Sequence, residues 1–218
     1  MPFGMANAPS SWQAEVNCIF RDNLERYVVV YLDDILIFSE DRESHFTHVT
    51  DALERLQQNG LYAKPSKSHL FTTTVEFLGH TLTPTGIRPS SSKCESIQTW
   101  PQPTSRKNIR QFLGITGFYR RYIPQYSEIA CPLTNLLISG VQFHWSDAAQ
   151  QAFELLKSKL ISPPILRIAQ PDLPFRIEAD TSGQATGAVL LQQYEGRLLP
   201  VALLLPQAHA SRDPVSCP

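Results

Sequence analysis

The sequence has no long hydrophobic run and no paired cysteine motif. No stretch approaches the roughly 20 apolar residues that cross a bilayer, and the N-terminus has no basic segment followed by an apolar one. The four cysteines are scattered, with no C-x-x-C pair and no histidine at zinc-ligand spacing, which argues against a zinc site and favours free thiols. These absences predict an intracellular protein, cytoplasmic or nuclear, that is not secreted and has no membrane partner.

Glycine is also scarce, with ten glycines against 17 prolines, and no internal repeat or low-complexity segment is present. This ratio favours several short elements with stiff connections. The apolar fraction of 42% supports packed cores, and 218 residues suffice for one large domain or two small ones. The formal net charge of −1 looks neutral but conceals a basic segment in the second half of the chain.

Apolar periodicity predicts helices and strands in alternation along the first part of the chain. Such an order favours an α+β fold in which helices cover an antiparallel sheet. The predicted elements are a helix over 10–25, two strands on either side of an acidic turn within 28–38, a helix ending at Asn59-Gly60, and strands at 61–64 and 75–83.

The character of the sequence changes near residue 84, where turn residues and helix-capping residues become frequent. A helix is predicted from Ser146 to about Leu160, where two prolines follow. Beyond it, LPFRIEAD, TGAVLLQQ and LLPVALLL predict three strands. We therefore predict three domains, covering residues 1–83, 84–164 and 165–218.

Between Pro101 and Tyr126 all the charged residues are cations, and aromatic residues lie among them. A surface of this kind binds phosphates and stacks on bases or sugars. A solvated helix face above a stripe of core residues explains the same pattern equally well. The cations are Arg106, Lys107, Arg110, Arg120 and Arg121, and the aromatic residues are Phe112, Phe118, Tyr119 and Tyr122.

The stretch VVVYLDDILIF places Asp33 and Asp34 between two apolar strands. Burying unpaired charge is costly, so the apolar flanks predict a partly dry site in which something holds the two carboxylates. A divalent cation is one candidate, because paired carboxylates chelate such ions and phosphoryl transfer uses them. The alternative is a tolerated polar turn, since aspartate is a preferred turn residue.

Tyr31-Leu32-Asp33-Asp34 resembles the Y-x-D-D box of reverse transcriptases, and MPFGMANAPSSWQ is similar to the nucleotide-pocket motif that precedes it. GLYAKPSKSHL and VEFLGHTLTPTGIRP resemble the segments that follow, including the primer-grip hairpin. RQFLGITGFYRRYIPQYSEIACPLTNLL resembles the thumb and connection, while FHWSDAAQQAFELLKSKLISPPIL and EADTSGQATGAVLLQ resemble the start of ribonuclease H. These collinear matches cover roughly residues 1–202 and identify the chain as a member of the gypsy-type long-terminal-repeat retrotransposon polyproteins.

The resemblance implies a partial reverse-transcriptase palm in 1–83, a helical thumb and connection in 84–164, and an incomplete ribonuclease H-like α/β module in 165–218. It also implies an RNA-directed DNA polymerase, which is a nucleotidyltransferase, joined to a ribonuclease H. The implied cofactor is Mg²⁺ or Mn²⁺, used in two-metal phosphoryl transfer. The implied partners are RNA or DNA template-primer, RNA–DNA hybrid and deoxynucleoside triphosphates, and the oligomeric state is left open.

The same resemblance assigns roles residue by residue. The implied catalytic acids, which also bind the metal, are Asp33, Asp34 and, in the ribonuclease H module, Asp180. The implied nucleotide-binding residues are Phe3, Gly4, Tyr31 and Lys67. The implied primer-grip residues are Phe77, Leu78, Gly79 and His80. The implied nucleic-acid-binding cations are Arg106, Lys107, Arg110, Arg120 and Arg121.

Two parts of the implied sites are not found among the 218 residues. The resemblance places a further catalytic aspartate upstream of MPFG and further ribonuclease H acids beyond the third predicted strand. We therefore expect a chain truncated at both ends, with little polymerase activity of its own. A non-catalytic nucleic-acid-binding remnant and an inert pseudogene product remain alternatives, and after Ala202 the sequence diverges from the family through a frame slip, altered splicing or truncation.

Overall fold

The computed structural model describes residues 7–140, 142–161, 163–181 and 186–204, with the backbone alone at residues 180, 181, 186, 187 and 204. The chain divides into two compact units, Met1–Phe77 and Leu78–Pro218. This division falls inside the first predicted domain, and the three-domain assignment remains a prediction. No helix in the described ranges is both long and apolar enough to span a membrane.

From residue 7 onwards, the first unit packs two α-helices against a β-hairpin. The hairpin strands are antiparallel, in a register that runs from Val28 opposite Ile37 to Tyr31 opposite Asp34. The second helix begins at Asp41, whose carboxylate accepts hydrogen bonds from the next turn, as a good N-cap does. The elements are α1 (Ala8–Ile19), β1 (Val28–Tyr31), β2 (Asp34–Ile37), α2 (Arg42–Gln58), a 3₁₀ turn (Pro65–Lys67) and β3 (Val75–Phe77).

The core of this unit lies between the helices and the hairpin. One face of each helix supplies apolar side chains, which pack against alternate residues of β1 because strand side chains alternate between two faces. The buried residues of this cluster are Val16, Phe20, Val28, Val30, Ala52 and Leu56. The predicted hairpin and second helix are therefore present as the apolar pattern indicates.

Two predictions for the first part of the chain are wrong. The helix predicted over 10–25 ends at Ile19, because the backbone then forms i→i−3 turns, from Arg21 N–H to the Cys18 carbonyl and from Asn23 N–H to the Phe20 carbonyl. Glu25 further along has a φ of +63°. Residues 61–64 form no strand, and Tyr62 is 81% exposed ahead of the 3₁₀ turn. The strands predicted at 75–83 are present as Val75–Phe77 and His80–Thr83, separated by Leu78 and Gly79, which both have positive φ.

The described residues of the second unit form a hairpin, four α-helices and a three-stranded antiparallel sheet. Its helices enclose a core in which aromatic and aliphatic side chains are completely buried. The predicted helix after Ser146 and the three predicted strands are present. The elements are β4 (His80–Thr83), β5 (Gly86–Pro89), α3 (Ser91–Gln98), α4 (Arg106–Phe118), a 3₁₀ turn (Arg120–Tyr122), α5 (Tyr126–Asn135), α6 (Asp147–Ile161), β6 (Phe175–Thr181), β7 (Thr186–Tyr194) and β8 (Arg197–Leu204).

One close backbone approach ties the β4–β5 hairpin to the segment that follows α6. Ile87 and Leu166 exchange two backbone hydrogen bonds, of 2.7 and 3.0 Å. The neighbouring Gly86 has a φ of +141°, and a β-carbon there would clash with the Leu166 carbonyl oxygen. Glycine at this position is therefore required both by the backbone conformation and by the space.

Candidate active site and nucleic-acid interface

The two aspartates lie at the tip of the first hairpin. Tyr31 and Asp34 are the last paired residues, so Leu32 and Asp33 form a two-residue turn. Both carboxylates are exposed, and Tyr31 beside them is 53% exposed. The expected partly dry site is therefore wrong for this chain, because β2 is only half-buried and the structure pairs just two strands here within the described residues.

Helix α1 fixes the backbone of this turn. The Oε1 atom of Gln13 accepts a hydrogen bond from the Leu32 backbone N–H at 2.6 Å, and its Nε2 donates to the Val30 carbonyl at 3.2 Å. The indole Nε1 of Trp12 donates to the Leu32 carbonyl at 3.2 Å. Leu32 has a φ of +50°, a conformation that costs a non-glycine residue on the order of 1 kcal/mol. The contacts from α1 offset that strain.

Trp12 and Gln13 are the site residues that the sequence did not reveal. Periodicity places Trp12 on an apolar helix face, and it gives no indication of which backbone groups an indole N–H or an amide side chain contacts. The available signal was the adjacency of a tryptophan and a glutamine, two side chains with polar groups that require partners when partly buried.

The acidic turn offers two adjacent carboxylates as ligands. Neither Asp33 nor Asp34 has a side-chain hydrogen bond or ion pair with any other described residue, and those residues contain no cluster of three or more histidine, cysteine or acidic side chains. Mg²⁺ is commonly held by one or two carboxylates together with substrate phosphates rather than by an all-protein cage. The donor set therefore fits a divalent metal ion that is bound jointly with a phosphate ligand.

The remaining nucleotide and ribonuclease H residues are less informative. Phe3 and Gly4 lie outside the described residues, as does the side chain of Asp180, whose backbone pairs with Gly187. Lys67 ends the exposed 3₁₀ turn. The structure thus brings Tyr31 beside the acidic turn and leaves the other assignments as predictions.

The predicted primer-grip residues run from the end of β3 to the first residue of β4, with Leu78 and Gly79 as the turn between them. Leu78 and Gly79 have φ angles of +49° and +78°, and Phe77 ends β3. The Gly79 carbonyl accepts hydrogen bonds from the Tyr119 hydroxyl at 2.9 Å and from the Ser90 backbone N–H at 3.0 Å. A β-carbon on Gly79 would lie 2.9 Å from the same hydroxyl, so the turn and the end of α4 are in close contact.

His80 lies within a group of aromatic rings. Its ring centroid is 5.3 Å from that of Phe118, 5.6 Å from Tyr119 and 5.9 Å from Tyr122. The Nδ1 atom lies 3.0 Å from the Leu78 carbonyl, which requires a proton on Nδ1. Burial, aided by the charge of Arg121, lowers the pKa of His80 against the opposing effect of the Leu78 hydrogen bond. The neutral imidazole is thus favoured.

The basic segment has one exposed face and one buried face. Along α4, Lys107, Arg110, Gly114 and Phe118 are exposed at helical spacing, while Ile109, Phe112 and Thr116 are buried. Arg120 and Arg121 are also exposed, and Arg106 is half-buried. Of the four aromatic residues predicted to interleave with the cations, Phe112, Tyr119 and Tyr122 belong to the core and Phe118 reaches solvent. The surface is therefore basic, but it is less aromatic than expected.

Comparison with protein families gives two matches along the chain. Residues 1–82 match the family described as reverse transcriptase (RNA-dependent DNA polymerase). Residues 145–211 match the RNase H-like domain found in reverse transcriptase.

Curated relatives and solved structures agree with these matches. The Tf2-3 transposon polyprotein of Schizosaccharomyces pombe is 36% identical over 195 residues, which are 89% of this chain and 15% of the relative. The Pol polyprotein from transposon opus of Drosophila melanogaster is 38% identical over 215 residues, which are 94% of this chain and 21% of the relative. A foamy viral protease-reverse transcriptase in complex with double-stranded DNA is 26% identical with a TM-score of 0.83, and the match covers 94% of this chain and 36% of that one.

The fold, the acidic turn and these matches define one class of protein. The chain belongs to the reverse transcriptase and ribonuclease H region of gypsy-type retrotransposon polyproteins. It spans about a fifth or less of the length of these curated relatives.

Proposed function

We propose that this chain is the part of a retrotransposon polyprotein that binds primed template and supplies acidic metal ligands for RNA-directed DNA synthesis. The observation that carries the proposal is the acidic turn: Asp33 and Asp34 are exposed and have no partner among the described side chains, while α1 holds the backbone of Leu32, which precedes them. Side chains that are free on a fixed backbone are what a ligand site requires, because little ordering remains to oppose binding.

The proposed chemistry is nucleotidyl transfer from a deoxynucleoside triphosphate to the primer 3′ end. A bound Mg²⁺ or Mn²⁺ supplies charge neutralisation on the attacking and leaving oxygens. Asp33 and Asp34 hold that ion, and Trp12 and Gln13 keep the turn in the conformation that presents both carboxylates. Phe3, Gly4 and Tyr31 contact the incoming nucleotide, and Lys67 donates a proton to the leaving pyrophosphate.

Template-primer binding is assigned to the second unit. The exposed cations of α4 and of the turn after it contact the phosphate backbone, which gives affinity with little sequence preference. Phe77, Leu78, Gly79 and His80 hold the primer end. A related foamy viral protease-reverse transcriptase, 25% identical with a TM-score of 0.79, has been solved with an RNA/DNA hybrid, which supports a duplex ligand. Asp180 is proposed as the first metal-binding acid of the ribonuclease H-like segment.

Metal binding at the acidic turn tests the catalytic part of the proposal. Electron paramagnetic resonance of Mn²⁺ would be recorded with the purified 218-residue chain, primed template and a non-hydrolysable deoxynucleoside triphosphate. Asp33→Asn is expected to release Mn²⁺, whereas Asp22→Asn, at another exposed aspartate of the same unit, is expected to leave binding unchanged. Equal Mn²⁺ binding by the two variants would refute the assignment.

Primer extension with the same samples tests whether the chain suffices for synthesis. Because the family resemblance places a further catalytic aspartate outside these 218 residues, we expect binding of primed RNA template with little extension. Extension by the wild-type chain that Asp33→Asn abolishes would show that the residues present complete the site.

A non-catalytic nucleic-acid-binding role is the second candidate. It is favoured by the exposed basic face of α4 together with the lack of a third acidic ligand near the turn within the described ranges. Salt-sensitive duplex binding without Mn²⁺ retention at Asp33 would support this role. An inert product would show neither salt-sensitive duplex binding nor Mn²⁺ binding.

A further inference from the structure

We infer that Tyr119 is a positioning residue for the primer terminus, because its hydroxyl group fixes the primer-grip turn, defined here as Leu78 and Gly79. This inference rests on the proposed function, since the turn matters for catalysis only if it holds a primer. Its basis is a set of contacts within the second unit, all between described residues.

The primer-grip turn is conformationally strained and needs external support. Two consecutive residues adopt positive φ, and the first of them is leucine, for which this region is unfavourable. Such a backbone persists only where surrounding contacts determine it.

The Gly79 carbonyl is held from two directions. The Tyr119 hydroxyl donates to it at 2.9 Å, and the backbone N–H of Ser90 donates at 3.0 Å. A carbonyl oxygen has two acceptor positions, so both are used by the protein. The peptide plane between Gly79 and His80 is thus fixed in orientation, and the hydroxyl of Tyr119 is the side-chain component of that restraint.

Tyr119 itself has little freedom to move. Its side chain is 2% exposed, it follows the last residue of α4, and its ring packs edge-on against Phe118 at 4.9 Å between centroids. His80 packs against it from the β4 side at 5.6 Å. The position of the hydroxyl is therefore set by the core of the second unit. Its hydrogen bond to the Gly79 carbonyl in turn restrains the position of the primer-grip turn.

Two apolar side chains next to this contact reach solvent. Leu78 is 38% exposed and Phe118 is 55% exposed, and Tyr119 contacts both the turn and the Phe118 ring. Exposed apolar groups on a restrained backbone suit contact with the sugar and base edge of a terminal nucleotide. Removal of the Tyr119 hydroxyl should therefore change where the turn presents Leu78 without removing any cation that binds phosphate.

Tyr122 provides a matched control. It is a second buried tyrosine in the same aromatic group, with its ring centroid 6.4 Å from that of Tyr119. Its hydroxyl is buried and has no hydrogen-bond partner among the residues that the structure describes. Tyr119→Phe and Tyr122→Phe each remove one hydroxyl oxygen from the same aromatic group, but only the first removes the hydrogen bond to the Gly79 carbonyl.

The experiment uses the 218-residue chain and a primed duplex carrying 2-aminopurine at the primer 3′ end. Fluorescence of that base reports its local environment, while the anisotropy of a dye at the opposite end of the duplex gives the overall affinity. For Tyr119→Phe we expect a Kd within about twofold of wild type, because the phosphate contacts remain. The 2-aminopurine signal should move from the wild-type bound value towards that of free duplex, and Tyr122→Phe should match wild type in both measurements.

Amide hydrogen exchange in the free protein provides a second measurement. In Tyr119→Phe the amides of Gly79 and His80 should exchange up to about tenfold faster, as expected for the loss of one hydrogen bond. An unchanged 2-aminopurine signal in Tyr119→Phe, or an equal change in Tyr122→Phe, would overturn the role of Tyr119 alone. Failure of the wild-type chain to bind the duplex would refute the proposed function, and the role of Tyr119 with it.

Discussion

The side chain of Gln13 forms hydrogen bonds with the backbone on both sides of Tyr31, the last residue of β1. Its Oε1 accepts from the Leu32 N–H at 2.6 Å, and its Nε2 donates to the Val30 carbonyl at 3.2 Å. One amide group therefore satisfies a donor and an acceptor two residues apart, at the point where the strand turns towards the two aspartates. Gln13 thus restrains the backbone that leads into the acidic turn, together with Trp12, whose indole donates to the Leu32 carbonyl.

Replacing Gln13 should destabilise the first unit. Gln13→Ala leaves the Leu32 N–H and the Val30 carbonyl without their partner, and we expect a loss of about 1–2 kcal/mol in the free energy of unfolding. The measurement is urea denaturation followed by circular dichroism. Gln57→Ala, on the exposed surface of α2, is the control and should change stability by less than about 0.5 kcal/mol. Identical midpoints for the two variants would contradict the role of Gln13.

Asp51 should be equally important for the attachment of α2. Its Oδ2 accepts from Asn23 at 2.9 Å, from the Tyr27 hydroxyl at 2.6 Å and from Arg55 at 2.7 Å. Burial, together with the hydrogen bond to Asp51, raises the pKa of Tyr27 to about 12. In Asp51→Asn the charge is lost, so the pKa of Tyr27 should fall.

Ultraviolet absorbance titration tests this change, with Tyr27→Phe identifying the transition that belongs to Tyr27. Arg55→Ala serves as the control, because it breaks the ion pair with Asp51 but keeps the Asp51 carboxylate beside Tyr27. Both side chains are partly exposed, and ion pairs of this kind contribute little to the free energy of folding. An unchanged high-pH transition in Asp51→Asn would show that burial alone raises the Tyr27 pKa.

His80 should make stability depend on pH. Its pKa is lowered in the folded protein, chiefly by burial, so the unfolded chain binds the proton more readily. Stability is therefore fully present above the ordinary histidine pKa of 6.5 and is lost as the pH falls through that value towards the folded pKa. The measurement is the Tm of wild type and of His80→Phe between pH 7.5 and 5.5, and the Tm of wild type should fall more steeply as the pH falls. If the two plots of Tm against pH are parallel, His80 does not cause the pH dependence.

The basic face should dominate the salt dependence of duplex binding. Each phosphate contact removed reduces the slope of log K against log salt concentration by about 0.9 for B-form DNA. Arg110→Ala and Arg120→Ala should each lower that slope by about one unit. Lys93→Ala changes an exposed lysine on α3 and should leave the slope unchanged. If wild type and all three variants gave the same salt-dependence slope, α4 and the turn after it would not contact the phosphate backbone.

Local periodicity predicted the hairpin, α2 and the last three strands, because their apolar residues repeat over whole elements and turn residues separate them. It overestimated α1, since the backbone after Ile19 forms i→i−3 turns, such as Arg21 N–H to the Cys18 carbonyl, that no residue pattern encodes. It also placed Asp33 in a drier site than the structure shows. Burial at a hairpin tip depends on what packs around it, which is a tertiary property.

The proposed site residues also divide into those that a local sequence pattern indicates and those that only the tertiary structure shows. Asp33 and the basic residues could be proposed as site residues because charged side chains in unusual surroundings stand out in a sequence. The sequence left open whether Tyr119 belongs to a stacking surface or to a stripe of core residues. It lies in the core and bonds to Gly79, forty positions earlier in the chain. Contacts over that separation require the fold.

The backbone pairing of Ile87 with Leu166 bears on the order in which the second unit forms. The two residues are far apart in the chain, and helices α3 to α6 lie between them. Closing so long a loop is entropically costly until the intervening helices have compacted. The local β4–β5 hairpin and the meander of β6 to β8 can form early, whereas this bridge can close only late and so completes the folding of the unit.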